Sequence, residues 1–202
     1  MKKKIVILGS TGSIGKNTIK IIKKDKKNFD IKLLSTNKNI SEVIKQAKEF
    51  NVKNVIINDY SKYIEVKKKY KKLKINFYNS FSIIDKLFKK KEVFYSMISI
   101  IGIDGLNPSL QLIKYSKNIA FVNKESIICG WNLIKKELNK FKTNFIPIDS
   151  EHFSIYSLIQ NSSNDLIDKV FITASGGPFL KFSNKKLKKI KKKRHLIIQI
   201  GK

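Results

Sequence analysis

Three glycines stand three apart in the stretch ILGSTGSIGKNTI, at Gly9, Gly12 and Gly15, with Thr11 and Ser13 between them. Apolar residues lead in and a helical pattern follows. At such a strand-to-helix junction, glycines allow a tight turn, a close approach of backbone to phosphate and close helix–strand packing. The unpaired N–H groups of the new helix then favour an anion. The G-x-x-G-x-x-G spacing departs from the usual dinucleotide fingerprint, so two readings stand: a nucleotide-phosphate cradle with Thr11 and Ser13 as extra donors, or a bare tight turn. The end of the second apolar run bears on the choice. NAD-selective sheets place an acid there, roughly 20 residues past the glycines, to bind the ribose 2′-hydroxyl. This chain has Asn37, Lys38 and Asn39 and no acid. That absence predicts NADP over NAD.

A second chemical group lies in IPIDSEHFSIY, where Asp149 and Glu151 are two apart just beyond an apolar run. If the extended backbone continues, both carboxylates face one way, and paired hard oxygens suit Mg²⁺ or Mn²⁺. If instead a helix begins here, Asp149 or Ser150 is its N-cap and Glu151 a first-turn acid. His152 follows directly, but the D-S-E-H string lacks zinc-ligand spacing. FVNKES places Asn123, Lys124 and Glu125 at another strand end. They read either as a buried Lys–Glu pair, or as a lysine aimed at a phosphorylated substrate with Asn123 near a cofactor. TASGGPF offers Ser175 and backbone N–H groups to an anion, or is a plain turn.

The elements that must hold these residues alternate. KIVILG, FDIKLLST, NVIIN, KINFYN, VFYSMISI, NIAFVN, TNFIPI and KVFIT read as strands. Between them run helical patterns such as SEVIKQAKEF, which sets Val43, Ile44, Ala47 and Phe50 on one face. This predicts an α/β chain, its parallel sheet covered by helices on both faces. All the chemical groups above then fall at C-terminal strand ends, the edge where such sheets bind ligands.

Composition excludes less than it suggests. The chain carries 43 Lys+Arg against 15 Asp+Glu, a formal charge of +28, over 202 residues. Only Arg194 is an arginine, whereas base-specific readers depend on arginine's bidentate fork. Lys, Ile and Asn share A/T-rich codons, so codon composition accounts for the charge and a nucleic-acid partner is disfavoured. A basic nucleic-acid-binding protein is the outlying alternative; it would need the charge gathered on one face. The single cysteine, Cys129, fits a reducing compartment and reads as core filler. The N-terminal apolar run is too short for a signal h-region and lacks a small-residue cleavage pattern, and the longest apolar stretch, VFYSMISIIGI, is too short to span a bilayer, so the chain is expected to be soluble and cytoplasmic.

With ILGSTGSIG, NKES, PIDSEH and SGGPF in this order, the chain resembles the 1-deoxy-D-xylulose 5-phosphate reductoisomerase family along its whole length. The resemblance implies a Rossmann-like NADPH-binding domain over residues 1–147, followed over 148–202 by the beginning of an α+β catalytic domain. It implies that Thr11, Gly12, Ser13 and Ile14 contact the NADPH phosphates, and that Asn37, Lys38 and Asn39 surround the adenosine 2′-phosphate. Asn123, Glu125 and Gly201 match further cofactor contacts. Asp149 and Glu151 match two of three carboxylate ligands to Mg²⁺ or Mn²⁺. Lys124, Ser150, Ser175 and His195 match contacts to a sugar phosphate substrate. The implied reaction is a metal-assisted rearrangement of 1-deoxy-D-xylulose 5-phosphate, then reduction by NADPH to 2-C-methyl-D-erythritol 4-phosphate, in a homodimer. Two departures stand out. The family follows its histidine with Pro-Asn-Trp, where this chain reads RHLIIQIGK. The third carboxylate and a Ser/Asn/Lys phosphate cluster belong beyond Lys202. Residues 1–202 are therefore expected to bind NADPH with little or no turnover, and a catalytically inactive NADP-binding remnant is the alternative reading.

Overall fold

A computed structural model describes residues 1–148, 150–160, 166–170 and 182–187, and of Ser150, Glu151, Asn184 and Leu187 only the backbone. Two compact units divide the chain, Met1–Tyr156 and Ser157–Lys202. The first holds β1 Lys3–Leu8, α1 Ser13–Lys24, β2 Phe29–Thr36, α2 Ile40–Glu49, β3 Asn54–Ile57, α3 Tyr60–Lys69 and β4 Asn76–Tyr78. A 3₁₀ turn, Phe81–Ile83, then runs into α4 Ile84–Leu87. After it come β5 Val93–Ile98, a 3₁₀ turn at Ile103–Gly105, α5 Leu106–Ile113, β6 Ser116–Phe121, α6 Lys124–Phe141 and β7 Asn144–Pro147. Helix α7, Ser150–Ile159, runs across the division, and the described part of the second unit includes a short helix α8, Asn184–Leu187.

Among the described residues seven strands form one sheet, all parallel, in the order β4-β3-β2-β1-β5-β6-β7. Buried on both faces, the central strands need no polar side, which is why β1 reads as a continuous apolar run. Alternate residues serve opposite layers. Ile5 and Ile7 pack with Ile19, Ile22, Val43, Ala47 and Val66 from α1, α2 and α3. Val6 and Leu8 pack with Ile84, Leu112, Ile113, Ile134 and Leu138 from α4, α5 and α6. The strand order reverses beside β1, so its C-terminal end opens a crevice between loops that leave in opposite directions.

One expectation fails in α6. Cys129 is exposed. The run Ile127–Ile128–Cys129 is apolar all round, so periodicity could not choose its face. The side that packs is Ser126, Gly130, Ile134 and Leu138, and a Cβ on Gly130 would stand 2.4 Å from Leu106 Cδ1. That close approach of α5 and α6 turns Cys129 outward. No helix among the described residues is long and apolar enough to cross a membrane.

Candidate functional site

The turn after β1 is fastened on both sides. Ser35, on β2, accepts from Gly9 N through its hydroxyl at 2.8 Å and from Ser10 N through its carbonyl at 2.9 Å. Ser99, after β5, donates its hydroxyl to the carbonyls of Leu8 and Gly9 at 2.7 and 3.1 Å. Thr11 Oγ1 lies 2.8 Å from Thr36 Oγ1. The three glycines do different work. Gly9 has φ +79°, and a Cβ there would meet Ser99 O at 2.5 Å. A Cβ on Gly15 would meet Gly9 O at 2.3 Å. Gly12 has φ −74°, and its nearest neighbour would be at 3.5 Å, an ordinary contact. The fold therefore requires glycine at 9 and 15 but not at 12.

Helix α1 opens on this edge without a side-chain cap, as does α5, which continues the 3₁₀ turn Ile103–Gly105, whereas α2, α3 and α6 are capped. Asn39 caps α2 by accepting from Glu42 N at 3.2 Å, Asp59 caps α3 through Lys62 N at 3.0 Å, and Asn123 caps α6 through Ser126 N at 3.2 Å. At α1 the cap position is Gly12, which has no side chain to offer. The amides of Thr11, Ser13 and Ile14 have no acceptor among the described residues, and orphan donors of this kind are an anion's natural partners.

Of these residues Thr11 lines a cleft of about 610 Å³. Gly9, Thr11 and Gly12 line it from β1, Ser35, Thr36 and Asn37 from β2, and Asn58 from β3. From the other side come Ser99, Ile100 and Ile101 after β5, then Ile103, Asp104 and Asn107. Thus Thr11, Gly12 and Asn37 of the expected set meet in one crevice, with Ser13 and Ile14 opening the adjoining helix. Lys38 and Asn39 continue the Asn37 turn. Lys38 is 70% exposed and lies 3.7 Å from Asp59. The Ser61 hydroxyl, the Lys62 amide and Lys38 together hold the Asp59 carboxyl below the usual carboxylate range.

Asn123 works from behind the cleft. It is 6% exposed, and its Nδ2 donates to Ile100 O at 2.6 Å and Gly102 O at 3.0 Å. Its amide is occupied in fixing the loop whose residues 100, 101 and 103 line the crevice. Lys124 and Glu125 are both exposed in the first turn of α6, which rules out a buried Lys–Glu pair.

Glu151 follows the helical alternative. Strand β7 stops at Pro147 and α7 starts at Ser150. Glu151 is a first-turn helical residue, so strand alternation does not relate it to Asp149. Asp149, Ser175, His195 and Gly201 lie outside the described residues, as does TASGGPF. Among the described residues no three His, Cys, Asp or Glu gather as a metal-holding group.

Sequence reasoning missed Asn58, Asp104 and Asn107 as cleft residues. Asn58 directly follows β3 and Asp104 and Asn107 follow β5 at the same sheet edge, so the strand-end rule could have found them.

Comparison with known proteins agrees with this architecture. The family profile of 1-deoxy-D-xylulose 5-phosphate reductoisomerase matches residues 5–130, and that of the enzyme's C-terminal domain matches residues 145–197. A relative of that name from Pelagibacter ubique is 54% identical over 189 residues, covering 93% of this chain and 49% of the relative. One from Wolbachia is 38% identical, covering 93% and 48%. The solved reductoisomerase from Zymomonas mobilis in complex with NADPH superposes with a TM-score of 0.79 at 28% identity, covering 92% of this chain and 49% of that one. A reductoisomerase structure with fosmidomycin and magnesium gives 0.75 at 26%, covering 94% and 50%. The chain spans about half the length of the curated relatives it matches. It belongs to the 1-deoxy-D-xylulose 5-phosphate reductoisomerase family.

Proposed function

We propose that this chain carries the NADPH-binding domain, residues 1–147, and the opening of the catalytic domain, residues 148–202, of an enzyme that converts 1-deoxy-D-xylulose 5-phosphate to 2-C-methyl-D-erythritol 4-phosphate. The observation that carries the reading is the Gly9–Gly15 turn: orphan amides at a switch-point cleft, beside a glycine at 12 that the fold does not need. Such a glycine is explained by a ligand that comes closer than a Cβ would allow.

In this reading the amides of Thr11, Gly12, Ser13 and Ile14 surround the dinucleotide pyrophosphate. Gly12 N already donates to Gly9 O at 3.1 Å, so its part is the space it leaves. The Lys38 ammonium neutralises the 2′-phosphate, flanked by Asn37 and Asn39, and the lack of an acid after β2 supports NADP over NAD. Asn123 holds the far wall of the cleft, with Glu125 and Gly201 as further cofactor contacts. Asp149 and Glu151 supply hard oxygens suited to Mg²⁺ or Mn²⁺, and Lys124, Ser150, Ser175 and His195 bind the sugar phosphate. When bound, the dinucleotide supplies hydride and the divalent ion supplies Lewis acidity. The protein is cytoplasmic and homodimeric in this account, and the NADPH, fosmidomycin and magnesium in relatives' structures support the ligand assignment.

The test is a chimera joining residues 1–147 of this chain to the catalytic half of its Pelagibacter relative. NADPH oxidation that depends on both the deoxyxylulose phosphate and Mn²⁺ is the expected result. A folded chimera that binds NADPH without oxidising it would overturn the catalytic reading and leave the NADP-binding remnant.

A further inference from the structure

Gln46 is a long polar side chain only 2% exposed, on the face of α2 that otherwise buries Val43, Ile44 and Ala47. A buried amide is costly unless bonded, so its partners show what it is for. Its Nε2 donates to Ser10 O at 3.0 Å and to Glu42 Oε1 at 3.1 Å, and its Oε1 is buried with no partner among the described residues. Two acceptors around one terminus fix that terminus as nitrogen. Packing alone would be served by leucine or methionine. This helix instead reaches 36 residues back to a single peptide group, the one between Ser10 and Thr11.

That peptide is the one the phosphate turn needs oriented. In a trans peptide the C=O and N–H point opposite ways, and none here is cis. Holding Ser10 O toward α2 therefore turns Thr11 N–H away from α2. On either side, Ser10 N is tied to Ser35 and Thr11 Oγ1 to Thr36, but neither bond fixes the plane between them. Glu42 aims the amide, and its own backbone N–H is capped by Asn39.

We propose that Gln46 is a positioning residue for the dinucleotide: it locks the Ser10–Thr11 peptide so that Thr11 N–H is presented to the pyrophosphate. This rests on reading the glycine turn as the phosphate site.

The test compares the full 202-residue chain with Gln46→Met, which keeps the length and loses the donor. NADP⁺ and NAD⁺ are titrated calorimetrically well below both melting temperatures, and the Thr11 amide resonance is followed by NMR. Both dinucleotides carry the pyrophosphate, so the variant weakens both by one common factor, about three- to tenfold. The shift of the Thr11 resonance on adding NADP⁺ shrinks, while resonances of the β4 edge keep their positions. A folded variant with wild-type affinity for both, or one that loses NADP⁺ alone, overturns the proposal. Should Gln46→Met not fold, Glu42→Ala decides: it frees the amide to rotate at a half-exposed site, and unchanged affinity there is equally fatal. A wild-type chain that binds neither dinucleotide removes the phosphate-site reading itself, and this proposal with it.

Discussion

A Cβ placed on Gly15 would stand 2.3 Å from the carbonyl oxygen of Gly9 and 2.6 Å from Ser10 Cα, so the first helix packs against its own entry turn through the space a side chain would occupy. At Gly12, one helical turn earlier, the nearest atom would be at 3.5 Å. This difference separates folding from binding. Gly15→Ala must push backbone aside, and is expected to cost about 1–3 kcal/mol or more, read as a lowered Tm. Gly12→Ala should melt within a few degrees of wild type and bind NADPH more weakly. Equal stability of the two variants would contradict this division.

Lys38 tests the dinucleotide preference. It is exposed beside Asp59, so removing its side chain leaves no buried hole. Lys38→Ala should weaken NADP⁺ binding by about tenfold or more, as loss of a charge-assisted phosphate contact does, and leave NAD⁺ binding unchanged. A parallel loss for both dinucleotides would place the lysine's effect elsewhere.

Asn123 joins three backbone groups: it caps α6 at Ser126 and holds Ile100 and Gly102. Asn123→Ala leaves those groups short of partners in a buried place. The expected destabilisation is about 2–3 kcal/mol, a lost cap plus unsatisfied carbonyls. Hydrogen exchange should quicken at residues 100–105 and in the first turn of α6, with the β2–β3 side unaffected.

Acid should loosen the molecule through carboxylates held low. A hydrogen bond from Lys4, then the Lys89 amide, keeps Glu92 below its ordinary 4.5, and the Tyr115 hydroxyl with Lys114 keeps Asp85 below 3.8. Both values fall on folding, so the unfolded chain takes up protons first as pH drops. Their stabilisation is complete above about pH 4.5 and is lost as pH falls through the folded values. Thermal melts should be flat from neutral pH to about 5 and decline below. Glu92→Gln should melt lower at neutral pH and decline less steeply.

Most of the layout was readable because parallel strands covered on both faces leave continuous apolar runs, as in KIVIL and NVIIN. The cleft was half readable. Gly9, Gly12 and Gly15 announce themselves by spacing, and Asn37–Asn39 by what they lack. Gln46, and the way Asn123 acts, were obscure for a different reason. Each acts through hydrogen bonds to carbonyls 21 to 36 residues away, and nothing local distinguishes a buried amide from a solvated one. Cys129 was misjudged because an unbroken apolar run has no preferred face. Glu151 turned on where one strand ends, and Pro147 ends it.

The most direct measurement is a fluorescence titration of the purified chain with NADPH and NADH, repeated on Gly12→Val. The account predicts saturable NADPH binding, clearly tighter than NADH, and its loss in a Gly12→Val protein that still melts near wild type. Absence of NADPH binding, or undiminished binding with valine at position 12, would contradict it.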